Sequence, residues 1–198
     1  MISHYLPYLV FLGAVVGLVG IGFYIRDMVR GDVLPNRVSW LLWSIAPFIG
    51  TAAAISDGAM LEVLPVFMAG FCPLLVLIAS FITKNAYWKS ARGDYGCGVL
   101  SLLALVLWWA TNSPEIAILF SMASDGFAAI PTLMKSWRFP DTESAAPFLA
   151  GLFCSLTSFA AVNAWHFSSV AFPIYLTLMN IALVVIIYRH KIFKNQKH

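Results

Sequence analysis

Apolar residues fall into seven long blocks along this chain, separated by six short connections that hold most of the charge. The blocks run over Tyr5–Ile25, Asn36–Ile55, Ala59–Ile82, Tyr95–Thr111, Glu115–Lys135, Ser144–Trp165 and Ser169–Tyr188. A helix needs roughly 20 apolar residues to cross the hydrocarbon core of a bilayer, and each block approaches that length. None shows the strict alternation of a half-buried strand, and the blocks are about twice as long as a barrel strand, which argues against an outer-membrane barrel. The pattern therefore predicts an all-α membrane protein with seven transmembrane helices. The first block has no basic flank and no A-x-A cleavage site, and it is long for a signal segment, so it reads as a retained helix.

Charge adds orientation. All twelve Lys and Arg lie in alternate connections or the C-terminal segment: Arg26, Arg30 and Arg37 in the first, Lys84, Lys89 and Arg92 in the third, Lys135 and Arg138 in the fifth, then Arg189, Lys191, Lys194 and Lys197. The remaining connections offer Asp57, Glu62 and Glu115. Basic flanks stay cytoplasmic during insertion, so the expected topology has the N-terminus outside and the C-terminus cytoplasmic, in a bacterial inner membrane. An even number of spans would put both ends on one face, so the charge pattern independently favours seven. With 61% hydrophobic and 11% charged residues, composition excludes a soluble globular domain. The net charge of +3 comes mostly from Arg189 to Lys197, which suits a stop-transfer flank or contact with anionic lipid. Lipid is the partner these features imply; nothing suggests nucleic acid. Cys72, Cys97 and Cys154 give no disulfide framework and read as packing residues.

An internal repeat lies under the block pattern. Laying Pro35-Asn36-Arg37-Val38-Ser39 on Pro140-Asp141-Thr142-Glu143-Ser144 also lays Arg30 on Lys135, and each motif opens a helix after a short basic connection. Helices 1–3 and 5–7 then correspond in length and direction, with helix 4 as the inverting linker. This is a parallel repeat about an axis along the membrane normal. It divides the chain into a first three-helix repeat (1–83), a loop and linker helix (84–112) and a second repeat with its basic C-terminal segment (113–198). One chain holds both triplets, so an oligomer is not required.

This 3+1+3 plan resembles the SWEET and PQ-loop transporters. Ile130-Pro131-Thr132-Leu133-Met134-Lys135-Ser136 is similar to that family's Pro-Gln loop with its Lys-Ser pair, and Ala146-Pro147-Phe148-Leu149-Ala150-Gly151-Leu152-Phe153 to the helix that follows it. Neither half has an actual Pro-Gln pair; the first has Arg26-Asp27 at the matching position. The resemblance implies transport of a small solute by alternating access. The positions that hold Asn in sugar-carrying members match Ile174 and Ala69 here, and their sixth-helix Trp falls on Ala161, so sugar specificity does not carry over. A receptor or sorting protein on the same fold stays open as the alternative, because fold does not fix function.

The residues that could carry chemistry cluster at mid-span. Asp125 lies ten positions from Glu115 and from Lys135, about 15 Å along the axis from either end of its helix. An ionised carboxylate there costs about 3 kcal/mol or more, so it must be protonated, paired or facing water. That suits proton coupling or a cationic group; the structural alternative is a neutral acid bonded to a neighbouring helix. Asn180 sits at similar depth on the last helix, with Ser44, Ser155, Thr157 and Ser158 completing a ring of expected solute contacts at the midplane. Serine and threonine also simply bond back to their own helix. Trp43, a turn deeper than Trp40, is a further candidate. Pro47, Pro131 and Pro147 are the expected hinges, since proline removes a helix hydrogen bond. Gly13, Gly17 and Gly20 form a small-residue face expected to pack within the first triplet. Trp40, Trp108, Trp109, Trp137 and Trp165 read as interfacial anchors. No span contains a Lys for a retinal Schiff base, the four His lie outside the spans, and paired intramembrane acids and a phosphate loop are absent. The expectation is therefore a non-enzymatic protein without catalytic residues, metal or cofactor.

Overall fold

The structure, a computed structural model, describes residues 8–56, 64–83, 87–110, 114–162, 165 and 167–194. Among these residues the chain forms seven α-helices: α1 Leu9–Arg30, α2 Arg37–Ser56, α3 Leu64–Ile82, α4 Arg92–Trp109, α5 Pro114–Arg138, α6 Ala146–Ser158 and α7 Phe167–Lys194. Two 3-10 turns, Pro140–Thr142 and Phe159–Ala161, flank α6. The fold is all-helical, and three of the seven are long and apolar enough to cross a membrane: α1, α3 and the Val170–Arg189 stretch of α7. Of the others, α6 is short, and α5 carries Asp125, Lys135 and Arg138 within its length.

Local chemistry sets the ends of these helices. α1 stops at Gly31, whose φ of 84° is a left-handed conformation that glycine takes without steric cost. The Gly31 and Asp32 N–H groups close the terminus on the Met28 and Asp27 carbonyls, both at 3.0 Å. α2 opens on Asn36, whose side-chain oxygen accepts the Val38 N–H at 3.1 Å and whose amide donates to Asp94 at 2.9 Å, tying α2 to the start of α4. Several boundaries differ from the block pattern. α6 ends at Ser158, where the chain tightens into a 3-10 turn, seven residues short of Trp165. α1 and α7 run past their apolar blocks, so Arg189, Lys191 and Lys194 belong to α7. The expected starts of the first and third blocks, at Tyr5 and Ala59, lie outside the described residues, as does Thr111.

Packing follows a simple plan. α3 rests on α1 and α2, α7 rests on α5 and α6, α1 packs on α6, and α2 on α5; α4 lies along α5 and reaches α2. The glycine face of α1 is turned mainly to α6. A Cβ on Gly20 would stand 2.4 Å from the Ala150 Cβ, and one on Gly13 would stand 2.4 Å from the Thr157 hydroxyl; only Gly17 faces α3, at Cys72. The expected packing within residues 1–83 thus gives way to close approach between α1 and α6. Trp40 is also no interfacial anchor. It is 2% exposed and packs in the core between Tyr24, at 5.0 Å, and Trp43, at 5.3 Å between ring centroids. Trp109, Trp137 and Trp165 are exposed. So are Phe11, Leu12, Val15, Val19 and Phe23 on α1, Ile78 and Phe81 on α3, and Leu178 and Val185 on α7. This much apolar surface on the outside of a bundle is compatible with a membrane protein.

Candidate functional site

Six helices, all except α4, surround a cavity of 160 Å³. It extends from Ile21, Trp40, Phe148 and Leu183, near the end of the bundle that carries the basic connections, toward Pro65, Ser158 and Phe172 at the other. Asp125 is the one acidic or basic side chain among the described residues that line it. Its neighbours in the wall are mainly aromatic and aliphatic, including Trp43, Phe148, Met68, Met179 and Leu176.

Asp125 is 6% exposed, and one carboxylate oxygen accepts the Tyr175 hydroxyl from α7 at 2.9 Å. Gly126 makes room for that bond, since a Cβ there would stand 3.3 Å from the Tyr175 oxygen. The Trp43 indole N–H donates to the main-chain carbonyl of the same Asp125 at 3.3 Å, which ties an aromatic ring of α2 to α5. Trp43 and Phe148 then meet edge to face, with centroids 6.3 Å apart. A buried carboxylate, a phenol and two aromatic rings so converge from α2, α5, α6 and α7.

The other candidates divide. Asn180, Ser155, Ser158 and the prolines Pro47 and Pro147 line the cavity with Asp125 and Trp43. Asn180 donates to the Leu176 carbonyl of its own helix at 2.8 Å and lies against Gly151, where a Cβ would come within 2.8 Å of its side-chain oxygen. Ser155 donates to Leu152 and stands 3.0 Å from the Thr177 hydroxyl; Ser158 bonds back to Cys154. Ser44 and Thr157 lie outside the lining. Ser44 is spent on the Trp40 carbonyl at 2.7 Å, and Thr157 bonds Cys154 while filling the notch at Gly13. Of the prolines, Pro47 interrupts α2 and Pro131 interrupts α5, the latter away from the cavity wall. Pro147 sits in the first turn of α6, where no internal hydrogen bond is lost, so the physical reason for a hinge there disappears. Of the two positions aligned with sugar-site Asn, Ala69 lines the cavity and Ile174 is exposed.

Beneath the cavity lies a polar lock. Lys135 and Glu143 pair at 2.5 Å with side chains 1% and 0% exposed. The Lys135 ammonium also donates to the Leu34 carbonyl at 2.6 Å and the Thr142 carbonyl at 3.3 Å. The Leu34 N–H bonds Thr142 at 3.1 Å, Thr132 bonds Ser39 at 3.0 Å, and Ser144 reaches Asp27 at 3.4 Å. Nearby, Arg37 donates to Ser80 and stacks on Phe81 and Tyr87, and Arg189 caps the Trp137 carbonyl and ring. Lys135 reads in sequence as a charge flanking a span, yet it is buried.

Two participants escaped the sequence pattern. Tyr175 falls five residues from Asn180 and so on another face of α7. The signal available was its phenol, a polar atom within an apolar block that needs a partner when buried. Glu143 stood just before the sixth block without any mark that it pairs with Lys135. Comparison with protein-family models, with curated proteins and with solved structures finds no match.

Proposed function

We propose that the chain crosses the membrane seven times, N-terminus outside and C-terminus cytoplasmic, as two parallel three-helix repeats joined by α4. Through the central cavity it carries a small polar solute by alternating access. The observation that carries this reading is a symmetry of contacts. The register that lays Pro35 on Pro140 also lays Asp27 on Thr132 and Ser39 on Ser144, and the two bonds at the basic end are Asp27 with Ser144 and Thr132 with Ser39. The same register pairs Trp43 with Phe148, which meet edge to face in the cavity wall. It likewise turns the contacts of α3 with α1 and α2 into those of α7 with α5 and α6. A cavity on such an axis is where parallel-repeat carriers bind solute.

Alternating access needs one end that can open. Four hydrogen bonds span the two halves at the basic end: Lys135 to Leu34, Leu34 to Thr142, Thr132 to Ser39 and Ser144 to Asp27. Each contributes on the order of 1 kcal/mol net, somewhat more for the charged one. That is small enough for solute binding to shift the balance between two arrangements. The Lys135–Glu143 pair lies within the second half, so it survives a rocking motion that releases Leu34. Pro47 and Pro131, which interrupt α2 and α5, serve as the pivots.

The test is reconstitution. Solutes are screened by thermal shift of purified protein, and hits are assayed for flux into liposomes. Tight binding without flux of any hit would favour the receptor alternative. A disulfide engineered as Ser39→Cys with Thr132→Cys should arrest flux reversibly; unimpaired flux through the bridged protein refutes the rocking motion. Cysteine labelling from outside intact cells at residues 57 and 113, with Ser90→Cys protected, checks the topology.

A further inference from the structure

The repeat symmetry of the cavity is broken at the position that carries the charge. In the register that equates Trp43 with Phe148, Asp125 corresponds to Gly20. On α1 that site is closed: α6 approaches so near that a Cβ on Gly20 would meet Ala150 at 2.4 Å. On α5 it is open, and a carboxylate stands in the wall. Every other acidic or basic side chain among the described residues lies outside the lining, and the nearest buried ammonium, that of Lys135, is already held by Glu143 and two carbonyls. Asp125 therefore has a neutral donor in Tyr175 and no counter-charge in the lining. The Trp43 indole, bonded to the Asp125 main-chain carbonyl, and the Phe148 ring in contact with it line the same cavity.

A carboxylate in a largely apolar pocket lined by aromatic rings selects a positive charge carried on a compact apolar body. The acid supplies the counter-charge, and the rings add cation–π attraction. The volume is of matching scale: an apolar cavity of about 150 Å³ holds a benzene molecule, and this one measures 160 Å³. We propose that the cavity binds a small organic monocation, a quaternary or protonated amine of roughly one ring's bulk, with Asp125 as its counter-ion and Trp43 and Phe148 as its walls. This rests on the reading of the cavity as a solute site and names the class of solute.

The test is a charge series of fixed shape on the full-length protein in lipid nanodiscs, by calorimetry. Choline serves as the cation, 3,3-dimethylbutan-1-ol as its neutral isostere and 3,3-dimethylbutanoate as the anion, with benzylammonium as a second cation and glucose as a neutral polar control. At least one cation should bind, with choline at least about 30-fold tighter than its neutral isostere, and the anion should not bind. Asp125→Asn should abolish that preference, and Tyr175→Phe should leave the sign of the preference intact. Should Asp125→Asn fail to fold, the series on the unaltered protein still decides. Neutral isostere and cation binding alike, or neither cation binding at millimolar concentration, overturns the proposal. Glucose binding and crossing liposomes while the cations do neither overturns it and leaves the carrier reading standing. A cation that binds through Asp125 but does not cross upholds the proposal and refutes the carrier.

Discussion

Removing Lys135 exposes what the lock beneath the cavity contributes. The Lys135 and Glu143 side chains are 1% and 0% exposed and meet at 2.5 Å, and the ammonium also satisfies the Leu34 and Thr142 carbonyls. Lys135→Met keeps the length of the side chain but strands a buried carboxylate, which costs about 3–5 kcal/mol. Glu143→Gln keeps an acceptor for the ammonium and removes only its counter-charge, so its cost is lower, about 2 kcal/mol. Replacing both, as Lys135→Met with Glu143→Leu, removes the two charges together. A buried pair exchanged for apolar groups is often neutral, so what remains is the loss of a donor to two carbonyls, about 1–2 kcal/mol. The double variant should therefore be more stable than Lys135→Met alone. Thermal unfolding in detergent, followed by tryptophan fluorescence, reads this directly. Lys135→Met should lower the midpoint by about 10 °C, and the second substitution should restore roughly half of that. If the double variant is as unstable as Lys135→Met or worse, the two side chains are not coupled and the lock has been misread.

The contact between α1 and α6 is steric, so Gly20→Ala should destabilise by about 1–3 kcal/mol because its Cβ would meet Ala150 at 2.4 Å. Gly22→Ala, with nothing within 4 Å, is the control and should be neutral or slightly stabilising in the same thermal assay. Tyr175→Phe takes the donor from the Asp125 carboxylate and should cost about 1–3 kcal/mol in unfolding, whereas a Phe variant as stable as the parent would show that the 2.9 Å bond contributes nothing. Choline keeps its charge at every pH, so its binding should weaken as acid protonates Asp125 and should become independent of pH in Asp125→Asn. Tyr175, the titratable group bonded to the carboxylate, does not ionise in the acid range. Calorimetry across the acid range checks this, and equal pH dependence in both proteins would assign the titration to another group.

The sequence alone specified the helical class and the order of the helices. Those features follow from chain-local physics, since each long apolar block acts over its own residues. It also marked Asp125 as the group to explain, because a carboxylate in the middle of an apolar block is costly wherever the helix goes. What the sequence could not determine is which face each helix turns to which neighbour. A long apolar block offers no polar stripe to break its rotational symmetry, since in such a block the lipid-facing and the core-facing sides are both apolar. For that reason Trp40 reads as an anchor and is core, Gly13 and Gly20 read as contacts within residues 1–83 and pack on α6, and Lys135 reads as a flank and is buried. Tyr175 could be matched to Asp125 only once α7 had been set against α5. The tertiary structure made those choices through close packing, where a 2.4 Å clearance at Gly20 and a single hydrogen bond at Asp125 discriminate between rotations that hydrophobicity leaves equal.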